Sequence, residues 1–234
     1  MVFRKRREKV HITESLNIDN VEINQVDKTK FLGVVIDPHL NFYHHIRYLK
    51  GKISRGLGIL YRGRKFFNEK TMLTLYNVFI YPYFMYCNEV WGNTYPTYLD
   101  PLIKIQKRAI RVVASAKRLS HTDPIFKSLR LLKLKEIHAY SIQLLMFKYH
   151  HEKLPSVFNE FFTRNDSIHG YSTRQNKKLH VYLSRSQITS NIVRLTGVTL
   201  YNYFLDRIDI CCSYSVYKKN LKCHIINNDI TSIF

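Results

Sequence analysis

The chain has 234 residues, 45% of them hydrophobic, enough for one good-sized core or two small ones and too apolar for wholesale disorder. Thirty-seven Lys and Arg against seventeen Asp and Glu give a formal charge of +20, an excess that repels itself in a compact fold unless a polyanion offsets it. With aromatics at 14%, nucleic acid is the expected polyanion, ahead of an anionic membrane or an acidic protein.

The first forty residues read as strands. Val2-Phe3 opens an extended run that meets Arg4-Lys5-Arg6-Arg7, a weak nuclear-localisation pattern with no apolar leader core behind it. Leu16-Asn17-Ile18 leads into the turn pair Asp19-Asn20, then Val21-Glu22-Ile23 alternates. Lys30 to Ile36 is apolar and β-branched and reads as a strand, stopped by Asp37-Pro38. The product is a small antiparallel sheet or pair of hairpins, marginal unless it leans on helices.

Helical spacing follows. Ile46, Leu49, Ile53, Leu57 and Leu60 recur at steps of three and four, with Gly51, Gly56 and Gly58 weakening the helix or permitting close approach. Asn68 reads as the N-cap of a helix from Glu69 toward Tyr81. Thr71 to Asn88 holds no charged residue, but Asn77, four tyrosines and Pro82 make it a buried helix ending or kinking at Pro82, so no membrane partner is expected. A third helix is expected over Tyr98–Ala116, and Asp123-Pro124 reads as an N-cap and first helical residue. Leu134 to His150 makes a long helix with Ile137, Ser141, Leu144 and Phe147 on one face, ended by Leu154-Pro155. Polar, basic sequence from Thr163 to Ser190 reads as a linker, and the last forty residues regain apolar character.

Two basic constellations stand out. Lys104, Lys107, Arg108 and Arg111 share one helical face, which can track a row of phosphates, and the stripe is expected to stand without an acidic partner within a turn. The alternative is a solvated helix face. Lys50, Lys52, Arg55, Arg62, Arg64 and Lys65 form a second cluster interleaved with Tyr61, Phe66 and Phe67. Phe66 and Phe67 are assigned to the core, with stacking on bases as the alternative. Chemistry is argued from absence. Two-metal nucleotidyl transfer needs paired carboxylates, and the sequence has no Asp-Asp pair, phosphate loop or nucleophile elbow. Cys211-Cys212 and Cys223-His224 lack the spacers with which two ligands close on one zinc ion, and the four irregularly placed cysteines suit an intracellular compartment, nuclear or cytoplasmic.

Lys30-Phe31-Leu32-Gly33-Val34-Val35-Ile36-Asp37, Leu40-Asn41-Phe42 and His45-Ile46 closely resemble non-LTR (LINE-type, Jockey-like) retrotransposon reverse transcriptases. The resemblance continues through Lys52-Ile53-Ser54, Gly58 to Arg62, Leu75-Tyr76, Ile80 to Tyr83, Val90-Trp91-Gly92 and Leu102 to Arg111, thins after Phe162, and returns at Gly197 and Leu200 to Asn202. Near the end this chain has Tyr201-Asn202 where the family tends to carry Trp-Asn. The resemblance implies that Phe31 and Gly33 lie on the hairpin that steadies the primer end, and that the helices behind form a thumb clasping the template–primer duplex. The family's catalytic aspartates and its endonuclease would lie upstream of Met1.

The expected fold is mainly α: a thumb-like helical bundle with a small N-terminal antiparallel β element. Residues 1–40 would be the end of a palm, 41–162 the helical domain, 163–190 a basic linker and 191–234 a C-terminal extension. The expected function is RNA, DNA or hybrid binding through Phe31, Gly33, Lys52, Arg55, Arg62, Lys104, Lys107, Arg108 and Arg111, without catalysis by this chain alone. No cofactor is expected here, Mg²⁺ belonging with the missing palm, which is the other expected partner. The alternative is a degenerate helical interaction protein that has lost its nucleic-acid ligand.

Overall fold

A computed structural model describes residues 1–3, 17–168, 175–176, 178–182, 192–228 and 230. The run Arg4 to Arg7 and much of the expected linker lie outside the described residues. The architecture is mainly helical, with two small antiparallel hairpins near the N-terminus.

In the first hairpin β1 (Asn17–Ile18) pairs with β2 (Val21–Glu22) in the register Ile18 opposite Val21. Asp19 and Asn20 turn it with φ of 48° and 61°, the left-handed region those two residue types tolerate best. The segment from Lys30 to Ile36 departs from the single strand expected. It folds into a hairpin, β3 (Thr29–Phe31) against β4 (Val34–Ile36), turned by Leu32 and Gly33 at φ 44° and 83°. Gly33 occupies that region freely, whereas Leu32 is held there from outside: the Tyr86 hydroxyl donates to Leu32 O at 2.6 Å.

Asp37 ends the hairpin and starts the bundle. Its carboxylate accepts the backbone N–H groups of His39, Asn41 and Phe42, at 3.1, 3.3 and 2.9 Å. This gathers the chain into α1 (Tyr43–Gly63), which buries Ile46, Leu49, Ile53, Leu57 and Leu60, the stripe given by the spacing. Each such aliphatic side chain contributes roughly 1.5–3 kcal/mol when fully buried. Gly56 lies where α1 meets the end of α2 (Glu69–Phe79), and a Cβ there would stand 2.8 Å from Phe79 O. Asn68 caps α2 as expected, its Oδ1 accepting Thr71 N–H at 2.9 Å. The chain breaks at Ile80 and restarts as α3 (Tyr81–Met85) with Pro82 in its first turn, followed by α4 (Asn88–Trp91). Among the described residues no helix is long and apolar enough to cross a membrane.

The helix α5 (Pro96–Val113) begins earlier than expected and contains Pro101 without breaking. Its most extensive packing is on α1. The two run parallel: Tyr43 and Tyr98 touch at one end (ring centroids 5.3 Å), and Arg64 Nη2 donates to Ser115 O at the other (3.3 Å). A short α6 (Asp123–Ser128) starts one residue earlier than anticipated, with Thr122 rather than Asp123 as its N-cap. Then α7 (Leu134–His150) takes the bounds that the sequence indicated. Its buried positions do not form one face. Ala139, Tyr140, Ile142 and Met146 are buried as fully as Ile137, Ser141 and Phe147, because α3 and α4 pack on one part of α7 and α8 (Val193–Leu205) and α9 (Tyr214–Asn227) on others.

Buried polar side chains tie these layers together. Gln106 of α5 donates to Leu132 O (3.0 Å) and accepts Leu134 N–H (2.9 Å), fixing the start of α7. Asn88 Nδ2 donates to Phe84 O, and its two oxygens face His138 Nδ1 at 3.0 and 3.1 Å, so that nitrogen carries the imidazole proton. Burial lowers the His138 pKa to about 4. Toward the C-terminus, Asn202 clamps the backbone of Leu179, accepting its N–H at 2.9 Å and donating to its carbonyl at 2.8 Å. Tyr201 meets His150 Nδ1 at 2.8 Å, so of the Tyr-Asn pair the tyrosine ties α8 to α7 and the asparagine ties it to Leu179.

Candidate nucleic-acid interface

The nine candidate residues fall on the second hairpin, α1 and α5. Phe31, Gly33 and Lys52 come together around the second hairpin. Phe31 is 62% exposed, beside the turn, and its side chain is free to meet a ligand. Gly33 does allow a close approach, but of this chain's own ring: a Cβ at that position would lie 3.1 Å from Tyr86 Cε1. Lys52 reaches back one turn to Tyr48, its Nζ 5.4 Å from the ring centroid, while Lys30 of β3 takes up a similar position at 5.3 Å. Tyr48 is thus a ring with two ammonium groups beside it. Beneath it His45 is buried, its Nδ1 accepting Val35 N–H at 3.3 Å. Burial lowers its pKa to about 4, so it is neutral at physiological pH and its proton sits on Nε2.

Along the bundle, Arg55 and Arg62 lie seven residues apart on α1, opposite its buried stripe, and both are exposed. Gly51 and Gly58 share that outer side, and a Cβ at either would meet nothing within 4 Å. On α5 the cationic stripe faces away from the core as its spacing predicts, but its four members are not equivalent. Lys104 has an acidic partner within a turn, contrary to the expectation. Asp100 precedes it by four residues, and the ion pair is 2.6 Å long with both side chains solvated. Arg111 is half-buried and donates through Nε to Ser120 O at 2.8 Å, which fixes the turn after the helix. Lys107 and Arg108 are exposed and make no ion pair or hydrogen bond among the described residues. They are the members of the stripe left for a ligand.

The parallel packing of α1 and α5 brings two helix C-termini side by side, each carrying partial negative charge on its last carbonyls. Arg62, Arg64 and Arg111 accumulate there, and Arg64 and Arg111 each donate to a backbone carbonyl beyond α5. Part of this basic cluster therefore stabilises the fold. The rest is surplus. Lys65, Lys117 and Arg118 are exposed at the same end and lack an ion pair among the described residues. Phe66 is 81% exposed and Phe67 50%, so neither belongs to the core to which the sequence assigned it. Their turn carries Arg64 and Lys65 next to them, and the Phe67 ring lies over Gly63, where a Cβ would stand 3.0 Å from Phe67 Cδ2. Exposed rings between cations are the arrangement that stacks on bases while neighbours neutralise phosphates. Lys117 and Arg118 escaped the sequence reading because only the parallel course of the two helices brings their turn beside Arg64.

The chain is similar to a retrotransposon polymerase. It is 23% identical over 148 residues to the probable RNA-directed DNA polymerase from transposon X-element of Drosophila melanogaster, a match covering 61% of this chain. The matched stretch spans 16% of that protein's length. No family model matches the sequence, and no solved structure is significantly similar. Among the described residues no three His, Cys, Asp or Glu are grouped to hold a metal ion.

Proposed function

We propose that this chain is the C-terminal, thumb-like part of a retrotransposon reverse transcriptase, which grips a template–primer duplex without a catalytic site of its own. The observation that carries the reading is the end of the bundle where α1 and α5 finish together. There exposed Tyr61, Phe66 and Phe67 alternate with Arg62, Lys65, Lys117 and Arg118, and none of these four cations makes an ion pair among the described residues. Lys107 and Arg108 extend the positive surface along α5, and Arg55 extends it along α1. The similarity to a transposon polymerase makes nucleic acid the natural polyanion, and the absence of an Asp-Asp pair supports a binding role.

Phosphate contacts supply affinity without sequence choice, and exposed rings tolerate any base. The duplex would be RNA, DNA or a hybrid, and Mg²⁺ would enter only with a separate palm segment. Fluorescence anisotropy of a labelled RNA–DNA hybrid titrated with the full chain tests this. Binding that weakens steeply with added salt supports it, and a salt-insensitive affinity or no binding in dilute buffer overturns it.

The second reading, a helical interaction protein with no retained nucleic-acid ligand, draws support from the commitment of Lys104, Arg64 and Arg111 to partners within the fold. Charge reversal at Lys107 and Arg108 separates the two. Loss of duplex binding favours the first reading, and unchanged behaviour favours the second.

A further inference from the structure

A cleft of about 440 Å³ opens between the second hairpin, the start of α1 and the α2–α3 junction. Its walls are largely apolar and aromatic: Tyr48, Val78, Phe79, Pro82, Tyr83 and Tyr86. Two features are unexplained by the fold. His45, part of the lining and 1% exposed, holds its Nε2–H without an acceptor among the described residues, although its other nitrogen is satisfied by Val35. A buried donor left unmade costs about 1–3 kcal/mol, so a protein tolerates it where a ligand can supply the acceptor. Lys30, part of the lining, and Lys52 both stand beside the Tyr48 ring, and neither makes an ion pair among the described residues.

We propose that this cleft is a subsite for one unpaired nucleotide, its base lying among the tyrosines and offering an acceptor toward His45, its phosphate between Lys30 and Lys52. The chemistry selects this ligand. The walls favour a flat ring, the neutral imidazole donates without demanding a charge, and the paired ammonium groups demand an anion. An aliphatic peptide side chain would leave the donor and both cations unused. This inference rests on the nucleic-acid reading above and adds to it a place where one residue of the strand leaves its stack. The nucleotide has two sources, a free nucleoside monophosphate or a nucleotide of a bound strand.

The test uses the full chain, with adenosine 5′-monophosphate, adenosine and ribose 5-phosphate as separate probes in isothermal titration, and hybrid duplexes with and without a single-nucleotide overhang in anisotropy. The monophosphate should saturate at one site, with adenosine and ribose 5-phosphate each at least about tenfold weaker because each lacks half of the recognition. Tyr48→Leu and Lys30→Gln, both at exposed side chains, should each weaken the monophosphate at least about threefold. A strand source shows as tighter binding of the overhang duplex than of the blunt one, and equal duplex affinities with a bound monophosphate assign the free nucleotide. The proposal is overturned if the monophosphate does not saturate, if ribose 5-phosphate binds equally well, if both variants bind it like the parent, or if the cleft takes an apolar peptide in its place. A chain that binds blunt duplex but no monophosphate loses only this inference. Failure to bind either duplex in dilute buffer overturns the broader reading.

Discussion

Neutralising individual cations on α5 gives a graded test, because the structure ranks side chains that the sequence treats as equals. Each phosphate contact adds about 0.7–0.9 to the slope of log affinity against log salt, so losing one at 0.1 M salt weakens binding roughly five- to eightfold. Lys107 and Arg108 make no ion pair among the described residues, and the pair Lys107→Gln/Arg108→Gln should therefore lose about 25- to 60-fold and flatten the slope by roughly 1.4–1.8. Lys104 is different because Asp100 already holds it at 2.6 Å. Asp100→Asn frees that ammonium group and should tighten binding by up to about the value of one contact. It should barely alter stability, since a solvated ion pair contributes about 1 kcal/mol at most. Anisotropy on a labelled hybrid at four or five salt concentrations reads both effects. If the double variant keeps the parent slope, or if Asp100→Asn weakens binding, the stripe does not contact phosphate and the reasoning is wrong.

Other consequences concern the scaffold. Arg111→Gln should lower stability by about 1 kcal/mol through the lost bond to Ser120 O, seen as a fall in Tm of a few degrees. His138 has a folded pKa of about 4 against an unfolded value near 6.5, so the unfolded chain binds the proton first as pH falls. Its contribution is complete above about pH 6.5 and is lost progressively toward pH 4, by up to about 3 kcal/mol, in denaturant titrations across that window; a flat profile would contradict it. Gln106→Leu leaves Leu132 O and Leu134 N–H without their buried partner and should cost about 2–4 kcal/mol by chemical denaturation. Gly51→Ala should stabilise α1 by up to about 1 kcal/mol, whereas Gly56→Ala should destabilise it because the new Cβ meets Phe79 O at 2.8 Å; equal effects at both positions would refute the packing.

The bundle was legible where local chemistry governs. Asn68 as a cap, Asp19-Asn20 as a turn, and the bounds of α7 all depend on neighbours within a few residues. The place of the turn between β3 and β4 was not, because it puts Leu32 at φ 44°, a conformation leucine adopts here under the hold of Tyr86, 54 residues along the chain. Periodicity also cannot distinguish a ring that packs from one that waits for a ligand, which is why Phe66 and Phe67 were assigned to the interior. The stripe from Lys104 to Arg111 was visible as a pattern, yet its division into committed and available cations depends on Asp100 and on a carbonyl at Ser120. The pairing of Gln106 with the start of α7, and of Asn88 with His138, joins residues 26 to 50 positions apart, and nothing local announces either.

The most direct measurement is the salt dependence of the unmodified chain on an RNA–DNA hybrid. With Arg55, Arg62, Lys107 and Arg108 each meeting a phosphate, log affinity should fall against log salt with a slope of about −2.8 to −3.6. A slope near zero, or no binding at the lowest salt, would show that this surface grips no polyanion.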